Sequence, residues 1–256
     1  MRVRREVDHP FLVKLHYAFA TPDKLYLIVD FVQGGELYYH LRNKKSFSVA
    51  ETQFFLAELA LALGKLHELD IIYRDLKPEN VLVDHDGHIK LTDFGLAKKD
   101  VSEENRPTTF CGTPLYLAPE SIKVRAEHTC RLVAPHSTRR FAETCSRVAG
   151  QSLPQFGGKT GYGMEIDWWT FGALMFEMLT GDPPFTAGSI KELLRVILEA
   201  DVATDRISSA EARDAIVQLL QKDPSREWRL PNQFLVRWRR KDVAVAKKEQ
   251  MLQLMI

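Results

Sequence analysis

Tyr73-Arg74-Asp75-Leu76-Lys77-Pro78-Glu79-Asn80, followed thirteen positions after Asn80 by Asp93-Phe94-Gly95, is the stretch on which the reading of this chain turns. It sets an aspartate, a lysine and an asparagine within six positions and a second aspartate beyond two short apolar runs. Phosphoryl transfer needs such a set: a carboxylate to orient an attacking hydroxyl, a cation to offset developing charge, and oxygen ligands for magnesium. Any one of these residues alone is more often a solvated charge or a turn residue. In this order and spacing they describe one metal–phosphate centre.

The flanking sequence places the stretch between a helix and a hairpin. Ser48-Val49-Ala50-Glu51 reads as a capping box, and Phe55, Leu59, Leu63 and Leu66 follow at helical spacing. Val81-Leu82-Val83 and Ile89-Lys90-Leu91 read as two short strands joined through Asp86-Gly87, a hairpin turn signal. Upstream, Lys24-Leu25-Tyr26-Leu27-Ile28-Val29-Asp30 fits a buried strand that ends before Gly34-Gly35. Downstream, Asp167 to Leu179 predicts a central helix, apolar nearly all round and stopped by Gly181-Asp182-Pro183-Pro184. Further helices are predicted over Ile190 to Leu198 and Ser209 to Leu220. The body is mostly helical, with small strand elements at one end.

Composition sets wider bounds. The 256 residues are 45% hydrophobic and 27% charged, ordinary for a globular chain and unlike a disordered or collagen-like one. Lys plus Arg is 35 against 34 for Asp plus Glu, so bulk charge gives no reason to expect a nucleic-acid partner. Three cysteines, Cys111, Cys130 and Cys145, suit a reducing compartment better than a disulfide scaffold. Arg2-Val3-Arg4-Arg5-Glu6 is not a secretory signal, and Trp168 to Leu179 is too short to span a bilayer and contains Glu177. The expected setting is the cytoplasm or the nucleus.

With these motifs the chain resembles a eukaryotic serine/threonine protein kinase, of the α+β protein-kinase fold dominated by its helical large lobe. Tyr-Arg-Asp at 73–75, His9-Pro10-Phe11, Phe110-Cys111-Gly112-Thr113 and Asp167-Trp168-Trp169 resemble the AGC group. The resemblance covers roughly residues 7–123 and 159–224. It implies ATP and Mg2+ as cofactors, with Asp75 as catalytic base, Lys77 steadying the transferred phosphate, and Asn80 and Asp93 as magnesium ligands. Val29 falls at the gatekeeper position, Asp30, Phe31 and Val32 at the hinge, and Glu36 near the ribose. Leu82 would lie under the adenine, and Thr92 completes the cofactor-binding set. Ala118-Pro119-Glu120 closes the activation segment. Thr109 matches the activation-loop phosphosite of an upstream kinase, where a phosphate would pair with Arg74. Thr113 would contact Asp75 and help choose Ser or Thr acceptors. Glu36 and Glu79 resemble the acidic positions that select arginine upstream of the acceptor, which implies basic protein substrates. Cys111 reads more readily as a half-buried inert thiol than as a redox sensor.

The same resemblance divides the chain into a small-lobe remnant at 1–29, a large lobe at 30–230 and a divergent basic tail at 231–256. In this register the family's glycine-rich loop, strand lysine and helix glutamate fall before Met1, and neither Glu6 nor Gly157-Gly158-Lys159-Thr160 replaces them. Arg4 stands where the family places an apolar residue beneath Phe94. The nucleotide would then have a floor and no roof, so a non-catalytic kinase-like scaffold, or an incomplete gene model, stands as the alternative to an enzyme. Between Glu120 and Asp167 lie 46 residues, far more than the family's connection. Residues 124–158, with five Arg against Glu127 and Glu143, read as a surface insertion or a retained intron. His128, Cys130, His136 and Cys145 within it have poor spacing for zinc. Near Asp223-Pro224 the arginine expected to bridge to Glu120 is out of register, with Glu227 in its place and Arg226 and Arg229 nearby. The tail carries six Lys or Arg between Arg237 and Lys248 and reads as a solvated helix.

Overall fold

The computed structural model describes residues 7–124 and 161–223. Readings that concern Arg4, Glu6, nearly all of the 124–158 segment with its His and Cys residues, Arg226, Glu227, Arg229 and the basic tail lie outside the described residues.

The chain opens with an antiparallel ribbon of β1 (Leu15–Ala20) and β2 (Leu25–Val29), closed by Thr21 N–H donating to Lys24 O at 2.8 Å. The expected strand at residues 24–30 therefore forms, but its expected burial does not. Every residue of β2 is exposed, and Phe31 just after it is 86% exposed. An apolar strand is buried only where a second layer covers it, and among the described residues none covers this ribbon.

From the ribbon the chain crosses to α1 (Leu37–Lys44), which buries Leu37 and Leu41. The crossing pairs with β3 (Val81–Val83): Gly34 N–H donates to Val83 O at 2.9 Å and Val83 N–H to Gly35 O at 2.8 Å. The two backbones are so close here that a Cβ at Gly34 would sit 2.4 Å from Val83 O, so only glycine fits.

Helix α2 (Val49–His67) starts at the expected capping box. Ser48 Oγ accepts from Glu51 N–H at 3.3 Å and Glu51 Oε2 accepts from Ser48 N–H at 2.9 Å. Phe55, Leu59, Leu63 and Leu66 are all buried on its inner side. After it come β3 and β4 (Ile89–Leu91), paired Val81↔Leu91 to Val83↔Ile89 around the Asp86-Gly87 turn. Helix α3 (Glu165–Thr180) is the centre of the body, with twelve buried residues, among them Phe171, Leu174 and Met175. Gly181 ends it in the left-handed conformation (φ 82°), donating to Glu177 O at 2.7 Å. Helices α4 (Ile190–Glu199) and α5 (Ala210–Leu219) follow where expected, capped by Ser189 and Ser209. No described helix is long and apolar enough to cross a membrane.

Helix α5 lies directly on α3. A Cβ at Gly172 would come 2.7 Å from Leu219 Cβ, so the helices meet backbone to side chain with no spare room. Gly172→Ala should lower stability by about 1–3 kcal/mol through overpacking, despite alanine's better helix propensity. Urea unfolding checks this; a stabilised variant would show that α5 is not seated on α3 as described.

Candidate active site

Two residues that begin Tyr73-Arg74-Asp75 are fixed from below. The Asp167 carboxylate, at the start of α3 and fully buried, accepts the backbone N–H of Tyr73 at Oδ2 and of Arg74 at Oδ1, each at 2.8 Å. His67, the last residue of α2, meets the same Oδ2 at 2.8 Å through Nε2. These bonds hold Arg74 in the left-handed region (φ 72°), where a non-glycine residue sits only under constraint. The turn they impose carries Asp75 toward the next segment.

Asp75 is the hub of a closed hydrogen-bonded group. Asn80 Nδ2 donates to Asp75 O at 2.8 Å and to Asp75 Oδ2 at 2.9 Å. Lys77 Nζ stands 3.0 Å from Asp75 Oδ2 and donates to Thr113 Oγ1 at 3.0 Å. Thr113 donates in turn to Asp75 Oδ1 at 2.9 Å. A single turn over Pro78–Asn80, with proline at its start, makes the short reach from Lys77 to Asn80 possible. Asp75, Lys77, Asn80 and Thr113 are thus brought together.

Asp93 joins from the other strand. Thr92 N–H donates to Asn80 O at 2.9 Å, and the Tyr73 hydroxyl donates to Thr92 O at 2.5 Å. Asp93 follows in the left-handed region (φ 48°), exposed, with Oδ1 accepting from Gly95 N–H at 3.0 Å. Phe94 stands edge-on to Tyr73, ring centroids 5.6 Å apart. Because the amide nitrogen of Asn80 is held by Asp75, its oxygen is the atom left to face a cation. With the Asp93 carboxylate this gives two hard oxygen donors, the number magnesium takes from a protein when phosphates and water supply the rest. The donor chemistry fits that ion.

The proposed nucleotide-facing residues lie along one seam. Val29 ends β2, and Asp30 and Val32 run on toward Gly34-Gly35. Glu36 pairs by a backbone bridge with Leu82, so the crossing and the upper strand of the hairpin form one continuous surface. The Asp30 carboxylate is tied to three places: Lys14 N–H at 3.2 Å, His16 Nε2 at 2.7 Å and Lys90 Nζ at 3.7 Å. These partners, His16 foremost, offset its desolvation and hold it below the usual carboxylate range.

Arg74 is held by two acceptors near Thr109. Its Nε donates to Leu96 O at 2.6 Å and its Nη1 to the Tyr162 hydroxyl at 3.0 Å, while Thr109 itself is exposed. Glu79 has a buried Oε2 with no partner among the described residues. Near it, Glu177 of α3 accepts the Tyr116 hydroxyl, and burial, with Glu79 adding repulsion, raises its carboxyl above the usual range. Tyr116, Tyr162 and Glu177 were not singled out as site residues from sequence. The available signal was Glu177 itself, an acidic residue inside a helix apolar nearly all round.

Comparison with known proteins gives the family. Residues 1–134 match the family model described as "Protein kinase domain". The chain belongs to the protein kinase domain family. It is 44% identical over 220 residues to human "Ribosomal protein S6 kinase alpha-3", covering 86% of this chain and 25% of that protein. It is 40% identical over 231 residues to "RAC family serine/threonine-protein kinase homolog" of Dictyostelium discoideum, covering 90% and 44%. The chain spans about a quarter of the length of the S6 kinase relatives it matches. Within the kinase family these likenesses support the AGC group that the motifs resemble.

Asp167→Asn should cost about 2–4 kcal/mol, because an amide N–H₂ would face a main-chain N–H while the site stays buried. Urea unfolding measures it, and a near-neutral result would remove Asp167 as the anchor of the catalytic turn. A second outcome concerns Glu120, whose Oε2 is buried without a partner among the described residues. Burial first, then repulsion from Glu165, pushes its carboxyl from near 4.5 up to about 7. Between those values the folded chain keeps a proton that the unfolded chain releases, so this group erodes stability as pH rises through that window. Glu120→Gln should therefore gain in melting temperature over the parent from pH 5 to pH 7.5; a gap constant with pH would disprove the shift.

Proposed function

We propose that this chain carries out the chemistry of a serine/threonine protein kinase, moving the γ-phosphoryl group of ATP to Ser or Thr hydroxyls of proteins with basic residues near the acceptor. The observation that carries this reading is the closed Asp75–Asn80–Lys77–Thr113 group beside Asp93.

Asp75 would accept the proton as the acceptor oxygen attacks phosphorus and the bond to the departing ADP breaks. Its carboxylate is held at both oxygens before substrate arrives, by Thr113 at Oδ1 and by Asn80 and Lys77 at Oδ2, so little reorganisation is needed. Lys77 keeps a positive charge where the transferred group would pass. Asn80 and Asp93 would hold Mg2+, which supplies charge neutralisation on the phosphates. Val29, Asp30, Val32, Glu36, Leu82 and Thr92 would form the nucleotide side of the seam, with the ribbon of β1 and β2 belonging to the small-lobe part.

Preference for basic substrates is supported by Glu79 and Glu177. A buried carboxyl oxygen without a donor, close to a second carboxyl, is costly until a cation arrives. An arginine side chain supplies both the charge and a forked donor. Glu36, exposed at the start of α1, would add a further carboxylate for a basic substrate.

The test is calorimetry with MgATP on the full chain and on Asp93→Ala, followed by phosphotransfer to paired peptides with and without upstream arginine. We expect micromolar binding weakened at least tenfold by Asp93→Ala, and kcat/KM for the arginine peptide cut about tenfold by Glu79→Gln. A folded chain that binds no nucleotide would instead be a kinase-like scaffold, and equal rates on the two peptides would end the basophilic reading.

A further inference from the structure

The activation segment is fastened to the start of α3 by contacts that require no phosphate. Tyr162, three residues before that helix, is 1% exposed. Its hydroxyl donates to Thr109 O at 2.6 Å and accepts from Arg74 Nη1 at 3.0 Å. Its backbone N–H donates to Pro107 O at 3.1 Å. Beside it, Arg106 pairs with Glu165 at 3.2 Å, and Glu165 also accepts Gly163 N–H at 2.7 Å. Gly161 (φ 132°) lies so close that a Cβ there would stand 2.5 Å from Arg106 Cβ. Residues 106–109 and 161–165 are thus laid together over a short length, with one phenol joining them to the catalytic turn.

We infer that Tyr162 is a positioning residue that pins the activation segment onto Arg74 before Thr109 carries any phosphate. Three features support this. The phenol uses the carbonyl of Thr109 and leaves the exposed side chain of that residue open to modification. Arg74 offers a five-donor fork, of which Leu96 O and Tyr162 take Nε and Nη1, so the same guanidinium retains donors for an anion. Burial also keeps the phenol protonated at physiological pH, its titration being raised to about 12, so that it donates as the geometry requires. A phosphate on Thr109 would then reinforce a segment already in place, rather than build the order from nothing. Only this last relation rests on the reading of Thr109 as a phosphosite.

Hydrogen exchange followed by mass spectrometry on the full chain tests the pin, comparing the parent with Tyr162→Phe. The substitution keeps the ring that packs and removes only the hydroxyl. Amides of residues 106–112 should exchange about tenfold faster in the variant, while those of α3 are unchanged. Phosphothreonine incorporated at position 109 should bring the variant to within about twofold of the parent. Unaltered exchange in the unmodified variant would overturn the pin, as would acceleration spread equally into α3, which would mark a packing role. Faster exchange confined to 106–112, with phosphothreonine protecting neither protein, would uphold the pin and remove Thr109 as its phosphorylated partner.

Discussion

A single buried carboxylate organises the catalytic turn. Asp167 accepts two consecutive main-chain N–H groups, from Tyr73 and Arg74, and a ring nitrogen of His67. Consecutive amides can point at one carboxylate only when the chain turns sharply, and the left-handed Arg74 is that turn. The strain is sustained because α3 is buried along most of its length and cannot yield. Everything nearer the surface depends on it: Asp75 leaves the turn in the direction that meets Asn80, Lys77 and Thr113. The apolar helix is the rigid base, and its one fully buried charge is the point where rigidity is passed to the site.

Three further connections into the site run through main-chain oxygens. Asn80 O takes the Thr92 N–H, Thr92 O takes the Tyr73 hydroxyl, and Leu96 O takes Arg74 Nε. Backbone acceptors position a loop without restricting which side chain it bears. Asp93 is therefore placed by its neighbours while its own carboxylate stays exposed, with Gly95 N–H on one oxygen. Asp75, by contrast, is engaged at both oxygens, which suits a group whose direction matters more than its mobility.

Much of this was legible in the sequence, for physical reasons that differ by element. The capping box at Ser48, the Asp86-Gly87 hairpin and the glycine stop at Gly181 are local, set by a few adjacent residues, and the structure has each where expected. Asp75, Lys77 and Asn80, marked by residue type within a short span, do meet in the structure. The exposure of β2 was not: a strand's own residues carry no sign of whether a second layer lies over them. Tyr162 was equally hidden, since Thr109 and Arg74, two of its hydroxyl's partners, lie 53 and 88 positions away and nothing in Gly161-Tyr162-Gly163 marks a contact. Long-range hydrogen bonds from a lone tyrosine have no period and no motif.

Glu79, Glu120 and Glu177 show how the meaning of a buried carboxyl depends on what stands beside it. Each is disfavoured by burial or left with an oxygen unpartnered among the described residues. Glu177 has Tyr116 as a donor, so its proton or its hydrogen bond answers the desolvation. Glu79 lies on the turn over Pro78–Asn80, with a buried oxygen unmet among the described residues and the like-charged Glu177 within electrostatic reach. Burial, with the Glu79 charge adding to it, raises the affinity of Glu177 for a proton. Glu120 sits at the end of the activation segment, with Glu165 repelling and Lys123 only partly compensating. There the cost is met by retaining a proton, which couples the end of that segment to pH near neutrality. Glu177 is answered by a hydroxyl donor, Glu120 by a proton, and the buried oxygen of Glu79 by no donor among the described residues.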